Sequence, residues 1–146
     1  MTSAKIIARY LIYSIQKQYE RWHVDIKEFD ITPFYLQKLL YYLQAYSLAF
    51  VGKPAFSEAI TIRDNLPFIE DVYEEYNGKI VPLEDYSTDF EEIDEALKVI
   101  IRTVLCDKIG MSSYALTIAI QRERPWPESL VQKGSEKSAD KDGKDS

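Results

Sequence analysis

The segment from Ile31 to Tyr46 reads Ile-Thr-Pro-Phe-Tyr-Leu-Gln-Lys-Leu-Leu-Tyr-Tyr-Leu-Gln-Ala-Tyr, and it constrains the chain more than any other. Thr32 is a good N-cap, and Pro33 at the first helical position loses only an N–H that has no intrahelical acceptor. Leu36, Leu39, Leu40, Leu43, Ser47 and Phe50 fall on one stripe, and Tyr35, Tyr41, Tyr42 and Tyr46 widen it until little of the circumference is polar. A helix that is apolar nearly all round has to be covered on most sides. The remainder of the chain is therefore expected to wrap around it. The expected fold is mainly α, a compact bundle of about five or six helices around a central apolar helix, with one small β-hairpin.

The flanking segments supply those layers. Residues 4–22 have helical spacing, with Ile7, Tyr10, Leu11, Ser14 and Ile15 on one face and Thr2 or Ser3 as cap. Residues 24–30 are a connector. Gly52-Lys53-Pro54 stops the central helix. Ile60-Thr61-Ile62 favours a short strand, and Leu66-Pro67-Phe68 is expected to open a third helix that runs through Tyr76. Phe68, Ile69, Val72, Tyr73 and Tyr76 would share its face, and Asn77-Gly78 would close it. Residues 79–83 suggest a second strand pairing near Ile60–Ile62. Ser87 or Thr88, with Glu91 completing a capping box, is expected to start the next helix. Its stripe is Phe90, Ile93, Leu97, Ile100, Ile101 and Val104, and Gly110 ends it. Ser112 or Ser113 caps a last short helix through about Gln121.

Length and composition set the remaining bounds. With 146 residues the chain suits one domain, 1–132, followed by a charged tail, 133–146, that has no large hydrophobe and is expected to be disordered. A domain of this size buries roughly 68–70% of its unfolded surface, enough to fold without a metal or disulfide. The single cysteine, Cys106, lies in an apolar run and is expected to be buried. Neither a signal peptide nor a membrane-spanning run is visible, so a soluble cytoplasmic protein is expected. Net charge is −6, unevenly spread: residues 58–95 hold 13 acidic and 2 basic side chains, net −11, leaving +5 elsewhere. Such a segment repels phosphates and attracts basic partners.

Groups for catalysis are sparse. His23 is the only histidine, beside Trp22 and Asp25 at the end of the first helix. No nucleophile has an evident base, no His/Cys spacing suits zinc, and the glycines form no phosphate loop. Glu74-Glu75 and Glu91-Glu92 are adjacent pairs, which diverge on a helix. The expectation is a protein without catalytic activity, cofactor or metal. Lys5, Arg9, Lys17, Arg21, Arg122 and Arg124 could form a basic patch, but no reading helix accompanies them, and nucleic acid is not the expected partner. Aromatic residues are 13% of the chain, eleven of them tyrosines, a residue enriched at protein interfaces. Tyr73, Tyr76 and Tyr86 lie within the acidic segment. An acidic rim with aromatic anchors would steer and then hold a basic protein.

Four pieces of the chain resemble the Panacea domain of SocA-like and GepA-like antitoxins. They are Thr32-Pro33-Phe34-Tyr35-Leu36-Gln37-Lys38-Leu39-Leu40-Tyr41-Tyr42, then Gln44-Ala45-Tyr46 with Gly52-Lys53-Pro54-Ala55-Phe56, then Pro67-Phe68 through Tyr73 and Tyr76, and finally Arg124-Pro125-Trp126. Where family members have a tryptophan and a glycine before the third helix, this chain has Arg63 and Leu66. The resemblance implies a helical antitoxin of a bacterial or phage toxin–antitoxin system that binds a cognate protein toxin. The alternatives are an adaptor that delivers the toxin to a cytoplasmic protease, and a non-enzymatic phage-encoded regulator. Arg63, Phe68, Glu70, Asp71, Tyr73 and Glu74 are the expected partner-binding residues.

Overall fold

Five α-helices and a small hairpin make up the computed structural model, which describes residues 2–84 and 90–132 and the backbone of 136–137. Helix α1 is Ala4–Arg21 and starts at Ser3, whose hydroxyl accepts from the Ile6 N–H. Helix α2, Pro33–Phe50, starts at Thr32, whose hydroxyl accepts from the Tyr35 N–H. Every residue of α2 from Leu36 through Gln44 is buried, as expected of a central helix. It packs against α1, against α3 (Glu70–Glu75), against α4 (Glu95–Lys108) and against α5 (Ser113–Arg122). At its far end the Val51 and Gly52 N–H groups both reach the Ser47 carbonyl, and Gly52 turns the chain away at φ +85°.

Strands β1 (Thr61–Arg63) and β2 (Leu66–Phe68) pair antiparallel, with Thr61 opposite Phe68 and Arg63 opposite Leu66. Asp64 and Asn65 form the two-residue turn at φ 52° and 64°, the left-handed pair that matches strand twist. On the other edge of β1 runs the parallel backbone of β3, Glu136–Lys137. The rest of the expected disordered tail lies outside the described residues.

Several elements differ from the sequence reading. Leu66-Pro67-Phe68 is a strand rather than a helix start, and α3 begins only at Glu70. Residues 79–83 form no strand; the hairpin partner of β1 is β2. Helix α4 begins at Glu95, with the Asp94 carboxylate accepting from the Leu97 N–H. Phe90 and Ile93 are buried ahead of it, and the expected caps Ser87 and Thr88 lie outside the described residues, as does Tyr86. The buried face of α1 is Ala4, Ile7, Ala8, Leu11, Ile12, Ile15 and Gln16, turned away from Tyr10 and Ser14, which stay half-buried. Phe50, at the last position of α2, is 70% exposed. Cys106 is exposed as well, because Ile100, Ile101, Val104 and Leu105 supply the inward face of α4. Among the described residues no helix is long and apolar enough to cross a membrane.

Candidate functional site

Helix α2 organises its surroundings through polar side chains on an otherwise apolar rod. Gln37 pairs with the backbone of Ile69: its amide nitrogen donates to the carbonyl at 3.0 Å and its amide oxygen accepts from the N–H at 2.8 Å. Gln44 does the same one loop earlier, donating to the Phe56 carbonyl and accepting from the Ala55 and Phe56 N–H groups. On α1, Gln16 pairs with both backbone groups of Leu83. Each amide stands in for a missing strand partner, so irregular backbone can be buried without orphaned groups. The Lys38 ammonium donates to the Ser113 hydroxyl and carbonyl at the start of α5, and burial lowers its pKa.

The Tyr41 and Tyr42 hydroxyls both donate to Glu123 just past α5, at 2.5 and 3.1 Å, and the Tyr46 hydroxyl donates to Asp107 at the end of α4. Trp126 lies edge-on to Tyr41 at 6.5 Å and donates its indole N–H to the Ile120 carbonyl. The two sequence pieces around Tyr41-Tyr42 and Arg124-Pro125-Trp126 therefore meet, and their side chains bind helices together. Burial, followed by the hydrogen bond to Asp107, pushes the Tyr46 hydroxyl up to about 12. Burial and then Asp30 push Tyr19 up to about 12. Tyr41 and Tyr42 are raised further, by burial together with Glu123. In each case the fold favours the protonated phenol. Stability is thus fully present below about pH 10, where unfolded tyrosines ionise, and is lost as pH rises through about 12. An alkaline titration followed by circular dichroism and tyrosinate absorbance is expected to show late, cooperative ionisation coincident with unfolding. Ionisation centred on pH 10 with the fold intact would contradict it.

The expected partner-binding residues cluster at the hairpin and α3. The Arg63 guanidinium lies 4.5 Å from the centre of the Phe68 ring and 5.5 Å from that of Tyr73. The two rings are 5.1 Å apart, so one cation bridges β1, β2 and α3. Phe68 is only 5% exposed, which makes it a platform under Arg63 and Tyr73 rather than a contact residue. Tyr73 and Arg63 are half-buried, while Glu70, Asp71, Glu74 and Glu75 are exposed. Glu70 and Glu74, four apart on a helix, lie along one face. Val72 points inward and fixes which side of α3 meets solvent.

This Arg63 stack joins residues from three elements and left no local trace in the sequence. Leu66 lies in β2, and the left-handed positions fall on Asp64 and Asn65. His23 is exposed at φ 58° just past α1. Among the described residues no group of three or more His, Cys, Asp or Glu side chains could hold a metal ion. Compared with known proteins, the chain matches no family model, no curated protein and no solved structure.

Proposed function

We propose that this protein is an antitoxin that acts in the cytoplasm and neutralises a cognate protein toxin by direct binding. The observation that carries the reading is the exposed acidic face of α3, with Glu70, Asp71 and Glu74 standing beside Tyr73 on a base locked by Arg63 and Phe68. Acidic side chains around a half-buried aromatic ring suit a basic protein surface: the charges speed encounter and the ring supplies the desolvated anchor. The resemblance of residues 32–42 and 124–126 to the Panacea domain supports the same reading. Neutralisation would follow by occlusion, the bound domain covering the toxin's working surface.

The test is a growth assay joined to a binding measurement. The product of the neighbouring open reading frame is expected to arrest growth when induced alone, and co-expression of this protein is expected to restore it. Glu70→Lys combined with Glu74→Lys should weaken binding about tenfold or more and abolish rescue. Both positions are exposed, so the change in unfolding free energy should stay within about 1 kcal/mol, the larger part from a lysine at the first position of α3. Rescue by the double variant at wild-type strength would remove α3 from the interface, and a toxic neighbour that this protein fails to restrain would overturn the antitoxin reading.

A further inference from the structure

Helix α1 has a second flank. One side carries Gln16 to the loop at Leu83; the other, with Tyr10, Tyr13, Lys17 and Arg21, faces α4 across a groove of about 430 Å³. The floor of the groove is apolar, with Leu105 from α4 and Ile109 just past its end. Its walls hold three cations, Lys17, Arg21 and Arg102, and none of the lining residues is acidic. That is the reverse of the chain as a whole, which carries −6. Lys17 is bonded to Glu20 at 3.5 Å, but both groups are open to water and the pair is correspondingly weak. Trp22, 53% exposed, stands at the end of the groove.

Trp22 and Ile109 also line an adjoining cavity of about 370 Å³, together with Ile31, Tyr35 and Met111 and with Asp30, whose carboxylate accepts from the Tyr19 hydroxyl and keeps ligand carboxylates to the basic stretch. The two share a wall and make a trough along α1. From Tyr10 to Trp22 a helix rises about 18 Å, the reach of about five residues of extended chain. An elongated ligand therefore fits better than a compact one. The basic stretch calls for carboxylates, and the stretch past Trp22 calls for an apolar side chain.

We propose that the trough between α1 and α4 is a docking site for an extended acidic peptide segment of a partner protein, its carboxylates held by Lys17, Arg21 and Arg102 and an apolar side chain anchored against Trp22. The groove offers a nucleic acid only three cations and no reading helix, and the chain as a whole carries −6, so a peptide is favoured. The site is independent of the acidic face on α3 and of the antitoxin reading.

Fluorescence anisotropy on the full chain tests it. The probe is a labelled peptide of glutamates ending in leucine and tryptophan, with the lysine counterpart and an oligothymidine of similar length as comparisons. The glutamate peptide is expected to bind and the lysine peptide not to bind. Arg21→Glu with Arg102→Glu should weaken binding about tenfold or more, and Trp22→Ala about threefold. Arg21→Ala with Arg102→Ala serves if the reversed pair disturbs folding, as judged by circular dichroism. Glu70→Lys with Glu74→Lys should not weaken binding of the glutamate peptide, which separates the two surfaces. Unchanged peptide affinity in the arginine variants overturns the proposal. Oligothymidine binding more tightly than the peptide, and lost in the same variants, overturns it in favour of nucleic acid. Self-association in sedimentation that the same variants abolish overturns it in favour of an interface between copies.

Discussion

Gln44→Leu is expected to lower the unfolding free energy by about 3–5 kcal/mol, because three buried backbone groups lose their partner at once and each unsatisfied group costs about 1–3 kcal/mol. The amide oxygen holds the Ala55 N–H at 2.8 Å and the Phe56 N–H at 3.3 Å, and the amide nitrogen holds the Phe56 carbonyl at 2.9 Å. Leucine has nearly the volume of glutamine, so the substitution leaves little cavity and isolates the hydrogen-bonding contribution. A domain of this class is stable by about 5–15 kcal/mol, so the loss is a large share of the total. The melting temperature should fall by roughly 10–15 °C. Urea denaturation measures the change directly. A loss below about 1 kcal/mol would mean that water replaces the amide and that the clamp is dispensable.

The same clamps explain which parts of the fold were legible in the sequence. Helices α1, α2 and α5 follow from apolar spacing and from caps at Ser3, Thr32 and Ser112, all of which act within a few residues. The segment 66–68 is ambiguous in the sequence because Pro67 suits the first turn of a helix as well as a short strand that needs no N–H from it. What decides between them is Gln37, which holds Ile69 extended from 32 positions away. Leu83 is likewise held by Gln16 across 67 positions, so backbone that looks like a strand needs no strand beside it. A glutamine inside an apolar helix is the signal that could have been read, although its target could not. At the candidate site, the acidic character of α3 was plain from composition. The stack of Arg63 on Phe68 and Tyr73 was not, since it depends on a hairpin whose register comes from the turn at Asp64–Asn65. The α1–α4 groove has no signature in the sequence because Cys106 reads as a buried residue and Arg102 belongs to no motif, and only the position of α4 brings them to one groove with Lys17 and Arg21.

Trp126→Ala is expected to cost about 3–5 kcal/mol, the usual range for removing a buried large aromatic ring. Trp126 is 5% exposed, its N–H donates to the Ile120 carbonyl at 3.0 Å, and its ring packs edge-on to Tyr41 while the Arg124 guanidinium sits 4.7 Å from its centre. The residue thus closes the last turn of α5 and packs against Tyr41, which with Tyr42 donates to Glu123. Trp126→Phe separates the two contributions. It keeps most of the ring and loses only the bond to Ile120, so it should cost about 1 kcal/mol. The alanine variant should also free the end of α5 locally, with trypsin cutting after Arg122 well before it cuts within α2, whose lysine, Lys38, is buried. Binding through α3 should survive under conditions where the variant stays folded, since the Arg63 stack shares no residue with this corner. Equal losses in the alanine and phenylalanine variants would assign the whole effect to the indole hydrogen bond. Trp126 would then act as a cap on α5, and the packing of its ring against Tyr41 would contribute little to holding the last helix on the central one.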